Sequence, residues 1–390
     1  MQPSRKALKN LTSKAIPSLG AKLRDHEQSP RIVVLINWEN MGDFVLFTAV
    51  IREVKLNFPE SKLFVVAQKE NRELADLCPY VEKWIWIKGH KKTKPGMGHG
   101  TQTSYWRKFL VTYFFLLLHG RRKIDLLFGP DWLLVKNQEQ LMSNMMFQKA
   151  NRNNKNLIEI NSKNRGLFKD KSHQVTRTLS ILEMFGMKVG SDEIENWIST
   201  QSPKSKIDAV KLQQFKSSKI LISLGAGQAR RNWPIEYVKR LVVALQTQFP
   251  DSEILVLGPK SLETLETIQA FPDSTKVKNL IGKTDLSMVA SLMQSSDLLI
   301  SNDSGLVHIA ASLKLPCVIV SAHPINADPW HLHSPNRYHP WKTEYRVIQP
   351  QVLLDKCLGS CQATSPHCIK SITPTEVLEA CNSLLTRNIP

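Results

Sequence analysis

A chain of 390 residues is longer than one hydrophobic core usually organises, and 42% hydrophobic with 22% charged residues is the balance of a folded protein, not a disordered one. The formal net charge of +18 comes from 52 Lys and Arg against 34 Asp and Glu, and residues 1–30, 88–123 and 149–171 together hold the whole excess. Six cysteines in this length exclude a disulfide scaffold, and no apolar run reaches the ~20 residues of a membrane-spanning helix.

Residues 1–30 form a basic leader. They lack the continuous apolar stretch of a secretory signal, being interrupted by Pro17, Gly20 and Lys22. Arg31–Ile36 then reads as a buried strand of the kind parallel sheets require, followed by a helix near 44–57 and strands at 62–67 and 83–87. Lys91–Thr103, rich in Gly and Lys, reads as a loop. The apolar run Phe109–Leu118 is flanked by basic residues at both ends, which suits membrane-surface contact. It also directly precedes a strand-like segment at 124–128, which favours a core helix. A strand at 157–160 and a helix near 174–186 follow, and the polar segment 190–218 reads as a linker.

The second half repeats the alternation, with strands at 219–224, 253–258, 277–282, 298–301 and 317–322. Strands alternating with helices predict two α/β domains, each a doubly wound parallel sheet, with a shared site in the cleft between them. The expected divisions are a leader 1–30, a domain 31–200, a domain 201–350 and a tail with a closing helix at 351–390. Thr373-Pro-Thr-Glu376 supplies that helix with a cap and a first turn.

Two turns carry chemistry. Asn302-Asp303-Ser304-Gly305 follows a buried strand and opens a helix with His308 one turn along, on the face that Ser304 begins. Asp303 or Ser304 can cap the helix, Gly305 permits close approach, and the helix amino terminus favours an anion such as a pyrophosphate. The loop from Gly225 through Gly227 to Arg230, Arg231 and Pro234 is again strand, glycine loop and helix, with two guanidiniums able to grip phosphate oxygens in pairs. The basic face of the amino-terminal half suits an anionic membrane or a phosphorylated substrate; no nucleic-acid module accompanies it. Cys357, Cys361, His367 and Cys368 lie close in sequence, but their spacing lacks the paired Cys-x-x-Cys of common zinc modules. Reduced thiols are therefore the expectation, with no metal.

The chain resembles glycosyltransferase family 9, the lipopolysaccharide heptosyltransferases. The markers are Met41-Gly42-Asp43, Cys78-Pro-Tyr-Val81, His173, the Gly225–Pro234 loop, Asp303-Ser-Gly-Leu-Val-His308 and Ile372-Thr-Pro with Val377, in order over residues 31–385. The resemblance implies the GT-B fold: two Rossmann-like doubly wound domains facing a central cleft. It implies an inverting transfer of heptose from ADP-heptose to a phosphorylated core acceptor, with Asp43 as general base. Arg231, assisted by Arg230, would hold the donor pyrophosphate, and Asn302, Asp303, Ser304, Gly305 and His308 would seat the nucleotide. No metal or further cofactor is implied; the partners are an ADP-linked donor, an anionic glycolipid and the inner face of the cytoplasmic membrane, met peripherally from the cytoplasm.

The chain departs from the family at Asn37-Trp-Glu-Asn40, where small residues are usual, and at the His- and Trp-rich segment 323–341. Within or beside these, Met41, Gly42, Asp328, His331 and Arg337 are candidate sugar or cleft contacts. A nucleotide-sugar epimerase on the same scaffold and a non-catalytic membrane-surface binding protein are the alternatives.

Overall fold

The computed structural model describes residues 31–37, 39–88, 126–128, 172–184, 187–198, 218–331, 333–354, 357, 361 and 363–386. The expected leader, the 91–103 loop, the 109–118 run, the 157–160 strand and nearly all of the three basic stretches lie outside these residues. Two compact units emerge, one comprising Met1–Arg72 and Cys78–Ile194, the other Glu73–Leu77 and Glu195–Pro390.

The first unit holds a parallel sheet of β1 (Ile32–Asn37), β2 (Lys62–Gln68), β3 (Lys83–Ile87) and β4 (Leu126–Phe128), in the order β3-β2-β1-β4. Val33, Val34, Leu35 and Ile36 are buried in succession, so β1 is covered on both faces, as its unbroken apolar run requires. Full burial of each such side chain contributes about 1.5–3 kcal/mol. Helix α1 (Met41–Asn57) follows, buried from Phe44 to Val54, and Phe58 closes it by donating its N–H to the carbonyl of Val54.

The buried stretch of α1 includes two charges. Arg52 pairs with Glu53 at 2.9 Å and also donates to the carbonyls of Ser191 and Glu193, while Glu53 accepts the N–H of Gly190. Asn57 exchanges two hydrogen bonds with the backbone of Lys188. The division between the two units, at Ile194 and Glu195, falls inside the expected linker over 190–218. The first residues of that linker are fixed against α1, and Ile194, Trp197 and Ile198 are buried. A second helix, α2 (Gln174–Met184), packs on α1 and starts at His173, whose ring and carbonyl accept the N–H groups of Val175 and Arg177.

The second unit alternates β5 (Lys219–Ser223), α3 (Ile235–Gln248), β6 (Glu253–Leu257), α4 (Leu265–Ala270), β7 (Val277–Asn279), α5 (Leu286–Gln294), β8 (Leu298–Asn302), α6 (Gly305–Ser312) and β9 (Cys317–Val320). It closes with β10 (Tyr345–Ile348) and α7 (Pro374–Leu385). All six strands are parallel, in the order β10-β9-β8-β5-β6-β7. Numbered within the unit this is 3-2-1-4-5-6 read from β7, a doubly wound sheet whose direction of winding reverses between β5 and β8. Helix α7 carries the expected capping box, Thr373 with Glu376 and Pro374 in the first turn. Its Val377, Cys381 and Leu384 are buried in the core of this unit, so the segment after residue 351 completes the domain. Among the described residues no helix is long and apolar enough to cross a membrane.

Candidate functional site

Ligands of doubly wound sheets bind beyond the carboxyl ends of the strands, at the point where the winding reverses. In the second unit that point is flanked by the segments leaving β5 and β8, and these are the two turns that carry the polar motifs. Their side chains meet. Arg231 Nη2 lies 2.6 Å from Asp303 Oδ2 and also donates to the Asp303 carbonyl. Asn302, buried at the end of β8, accepts the N–H of Trp233 at 3.0 Å. The Trp233 indole donates to the carbonyl of Ile372, just ahead of α7. The loop bearing the arginines is therefore pinned at three points to β8 and to the approach to α7.

Gly225 has φ +92°, and a Cβ there would lie 3.1 Å from Leu262 Cδ1, so the first residue of the loop must be glycine. Gly227 has a negative φ, and a Cβ there would meet nothing within 4 Å. Arg230 is half-buried, and burial pulls its guanidinium below the ordinary value, with the thiols of Cys361 and Cys357 opposing that shift. Two acceptors in the same loop, Gln228 Oε1 and Asn232 Oδ1, are buried without a hydrogen-bond partner. Sequence reasoning passed over both, since an amide in a loop gives no signal until its donors are counted.

Ser304 stands at the N-cap of α6, but neither it nor Asp303 makes the expected capping hydrogen bond; the Ser304 hydroxyl meets Ser301 Oγ at 3.1 Å instead. The first turn of α6 thus keeps its N–H groups clear of side-chain caps, next to the Arg231–Asp303 pair. His308 is buried one turn along. Burial lowers its pKa to about 4, against the opposing pull of Asp303, and its Nδ1 has no hydrogen-bond partner. It is a neutral imidazole at pH 7.

The 323–341 segment borders this turn, for His323 feels the charge of Asp303 and His308 that of His339. Its three candidate contacts are largely occupied in shaping the segment itself. The Asp328 carboxylate accepts the Trp330 N–H, His331 Nδ1 accepts the His333 N–H, and buried Arg337 lies over the Tyr338 ring.

In the first unit, the equivalent reversal falls between β1 and β4. The loop leaving β1 is set by Asn37, whose side chain accepts the Glu39 N–H, and by Asn71, which donates to the Glu39 carbonyl. Asn40 is the N-cap of α1, which puts Met41, Gly42 and Asp43, all partly exposed, in its first turn. Among the described residues, one group gathers potential metal ligands: Cys357, Cys361, His367 and Cys368, whose donor atoms all lie within 4.8 Å of one another. Spacing along the chain did not favour such a grouping, and folding produces it.

A profile of glycosyltransferase family 9 (heptosyltransferase) matches residues 144–354, more than half of the chain. The lipopolysaccharide core heptosyltransferase OpsX of Haemophilus influenzae is 24% identical over 324 residues, 82% of this chain and 85% of that one. Among solved structures, a family 9 glycosyltransferase from Veillonella parvula superposes with a TM-score of 0.61 at 15% identity, over 92% of this chain and 98% of that one. The Escherichia coli ADP-heptose lipopolysaccharide heptosyltransferase II gives 0.55 at 18% identity, over 92% and 99%. The shared architecture is the GT-B fold, and its two parallel sheets are those seen here. With profile, relatives and fold in agreement, the chain belongs to glycosyltransferase family 9, the heptosyltransferase family, and is a glycosyltransferase.

Proposed function

We propose that this enzyme transfers a heptose from ADP-heptose to a hydroxyl of a phosphorylated lipopolysaccharide core acceptor, inverting the anomeric centre, with Asp43 as general base. The observation that carries the reading is the Arg231–Asp303 pair at the reversal of the second sheet. It holds a guanidinium beside the uncapped first turn of α6, an arrangement suited to a diphosphate. Relatives named as ADP-heptose and core heptosyltransferases support the choice of donor and acceptor class.

In the reaction Asp43 takes the proton of the acceptor hydroxyl as its oxygen attacks the anomeric carbon. The bond from that carbon to the diphosphate oxygen breaks, and the electron pair leaves with the nucleoside diphosphate. Arg231, with Arg230 beside it, and the N–H groups of α6 stabilise the departing charge, so the transfer needs no metal ion. Gln228 Oε1 and Asn232 Oδ1 accept hydroxyl groups of the donor, which gives both buried acceptors a partner. The basic stretches 1–30, 88–123 and 149–171 dock the enzyme peripherally on the anionic inner face of the cytoplasmic membrane, where each Lys or Arg near the surface contributes about 1 kcal/mol.

Calorimetric titration with ADP, UDP, GDP and CDP, without added metal, tests the donor assignment. Selective binding of ADP is expected. Preference for another nucleotide would overturn the donor, and conversion of free nucleotide-sugar without acceptor would replace transfer by epimerisation.

A further inference from the structure

The Cys357, Cys361, His367 and Cys368 group has the dimensions of a metal centre. Tetrahedral coordination with metal–sulfur bonds of ~2.3 Å and a metal–nitrogen bond of ~2.0–2.1 Å sets sulfur–sulfur edges of about 3.8 Å and sulfur–nitrogen edges of about 3.6 Å. Here Cys357 Sγ lies 3.9 Å from Cys368 Sγ. His367 Nδ1 lies 3.8, 3.9 and 3.4 Å from the sulfurs of Cys357, Cys361 and Cys368. The separations are far too long for a disulfide and fit four donors around one ion. Cys361 and Cys368 are buried, and three sulfurs with one imidazole form the donor set that structural zinc sites use.

We propose that these four residues bind one zinc-type divalent ion that fixes the loop holding the donor pyrophosphate. His367 and Cys368 open a short 3-10 turn, Cys368–Ser371, in which Lys370 N–H returns to the His367 carbonyl. The next residue is Ile372, whose carbonyl accepts the indole N–H of Trp233, two residues beyond Arg231. From the other side, Cys361 and Cys357 lie within electrostatic reach of Arg230. The ion is therefore tied to both ends of the arginine segment. It contacts neither sugar nor acceptor, and acts by position. Binding displaces the thiol protons to solvent and changes no oxidation state.

Elemental analysis of the full chain, purified under reducing conditions, is expected to give about one zinc per molecule, as a closed four-ligand site holds one ion. Loading with Co2+ should produce the visible bands of tetrahedral, thiolate-rich cobalt. Cys361→Ser and His367→Ala should lose the ion, while Cys78→Ser, outside the group, keeps it. Should the variants fail to fold, the cobalt spectrum of the unmodified chain still decides. Removal of the ion should raise the dissociation constant for ADP by roughly tenfold while leaving kcat at saturating donor little changed. A folded chain that takes up neither Zn2+ nor Co2+, or one whose metal survives Cys361→Ser, overturns the site. Zinc content does not depend on which sugar is transferred, so this result stands apart from the donor assignment; metal uptake with unchanged ADP affinity would refute the coupling to the arginine loop.

Discussion

Asp43 and Asp303 stand on opposite sides of a winding reversal, Asp43 after the first strand of its sheet and Asp303 after the fourth strand of the other. Each follows a strand that flanks the winding reversal, and each stands at or in the first turn of the next helix. Their surroundings differ. Asp303 is engaged by Arg231 through both its carboxylate and its carbonyl, so its charge is used to hold another side chain. Asp43 sits in the first turn of α1, partly exposed, in a loop shaped by Asn37 and Asn71. An aspartate beside a winding reversal serves as a strut in one unit and, in the proposed mechanism, as a base in the other. Position selects where a site forms; the partner decides what the residue does there.

Matched substitutions separate the two roles. Asp43→Asn keeps the shape of the turn and removes the proton acceptor, so kcat should fall by ~10²–10⁴-fold with ADP affinity unchanged. Asp303→Asn releases Arg231 from its ion pair, and here the loss should appear in donor KM and ADP affinity, by ~10-fold, since hydrogen bonds to charged groups are worth about 1.5–3 kcal/mol. Steady-state kinetics with a binding titration on each variant reads both quantities. Full turnover by Asp43→Asn would dissolve the contrast.

Much of this contrast was hidden from the sequence for a physical reason. The strands were legible because parallel sheets bury both faces and leave unbroken apolar runs, as at Val33–Ile36 and Leu298–Ile300. β10 was not, because Tyr345–Ile348 is only half-buried at the sheet edge and follows a segment rich in His and Trp. The turns at 225–234 and 302–308 declared themselves through glycine, arginine and cap residues. Their joining through Arg231 and Asp303, 72 residues apart, is a tertiary fact that no local pattern encodes. The 190–218 segment read as linker because it is polar, yet the carbonyls of Ser191 and Glu193 at its start satisfy a buried arginine in α1. The Cys and His group was likewise visible as residues but not as a cluster, since spacing alone does not close a loop.

His308 extends the comparison to pH, because burial has been spent on a titratable group beside the Asp303 strut. Its pKa falls from 6.5 to about 4 in the folded state. The unfolded chain therefore binds the proton more readily, and stability is fully present above pH 6.5 and is lost as pH drops toward 4. The difference corresponds to roughly 3 kcal/mol when fully developed. Denaturant unfolding between pH 7 and pH 4 should show that decline, and His308→Gln should flatten it. An unchanged slope would mean that the imidazole is reached by water.

The smallest effect distinguishes two glycines of the arginine loop. Gly225→Ala forces an L side chain to φ +92° and brings Cβ to 3.1 Å from Leu262 Cδ1, within the core that carries β5 and β6. Backbone strain of this kind costs about 1–3 kcal/mol. Gly227→Ala has open space around the new methyl and no positive φ, so the folded state should be almost unaffected. Thermal unfolding of the pair should give a lower Tm for Gly225→Ala alone. Donor affinity should divide them differently. In Gly225→Ala the displaced strand end moves the whole loop, whereas in Gly227→Ala the methyl intrudes only where the diphosphate is proposed to sit. A variant with wild-type Tm and weakened ADP binding at Gly227 would therefore mark the exposed side of the loop as the ligand face, while normal binding there would confine the phosphate contact to Arg230, Arg231 and α6.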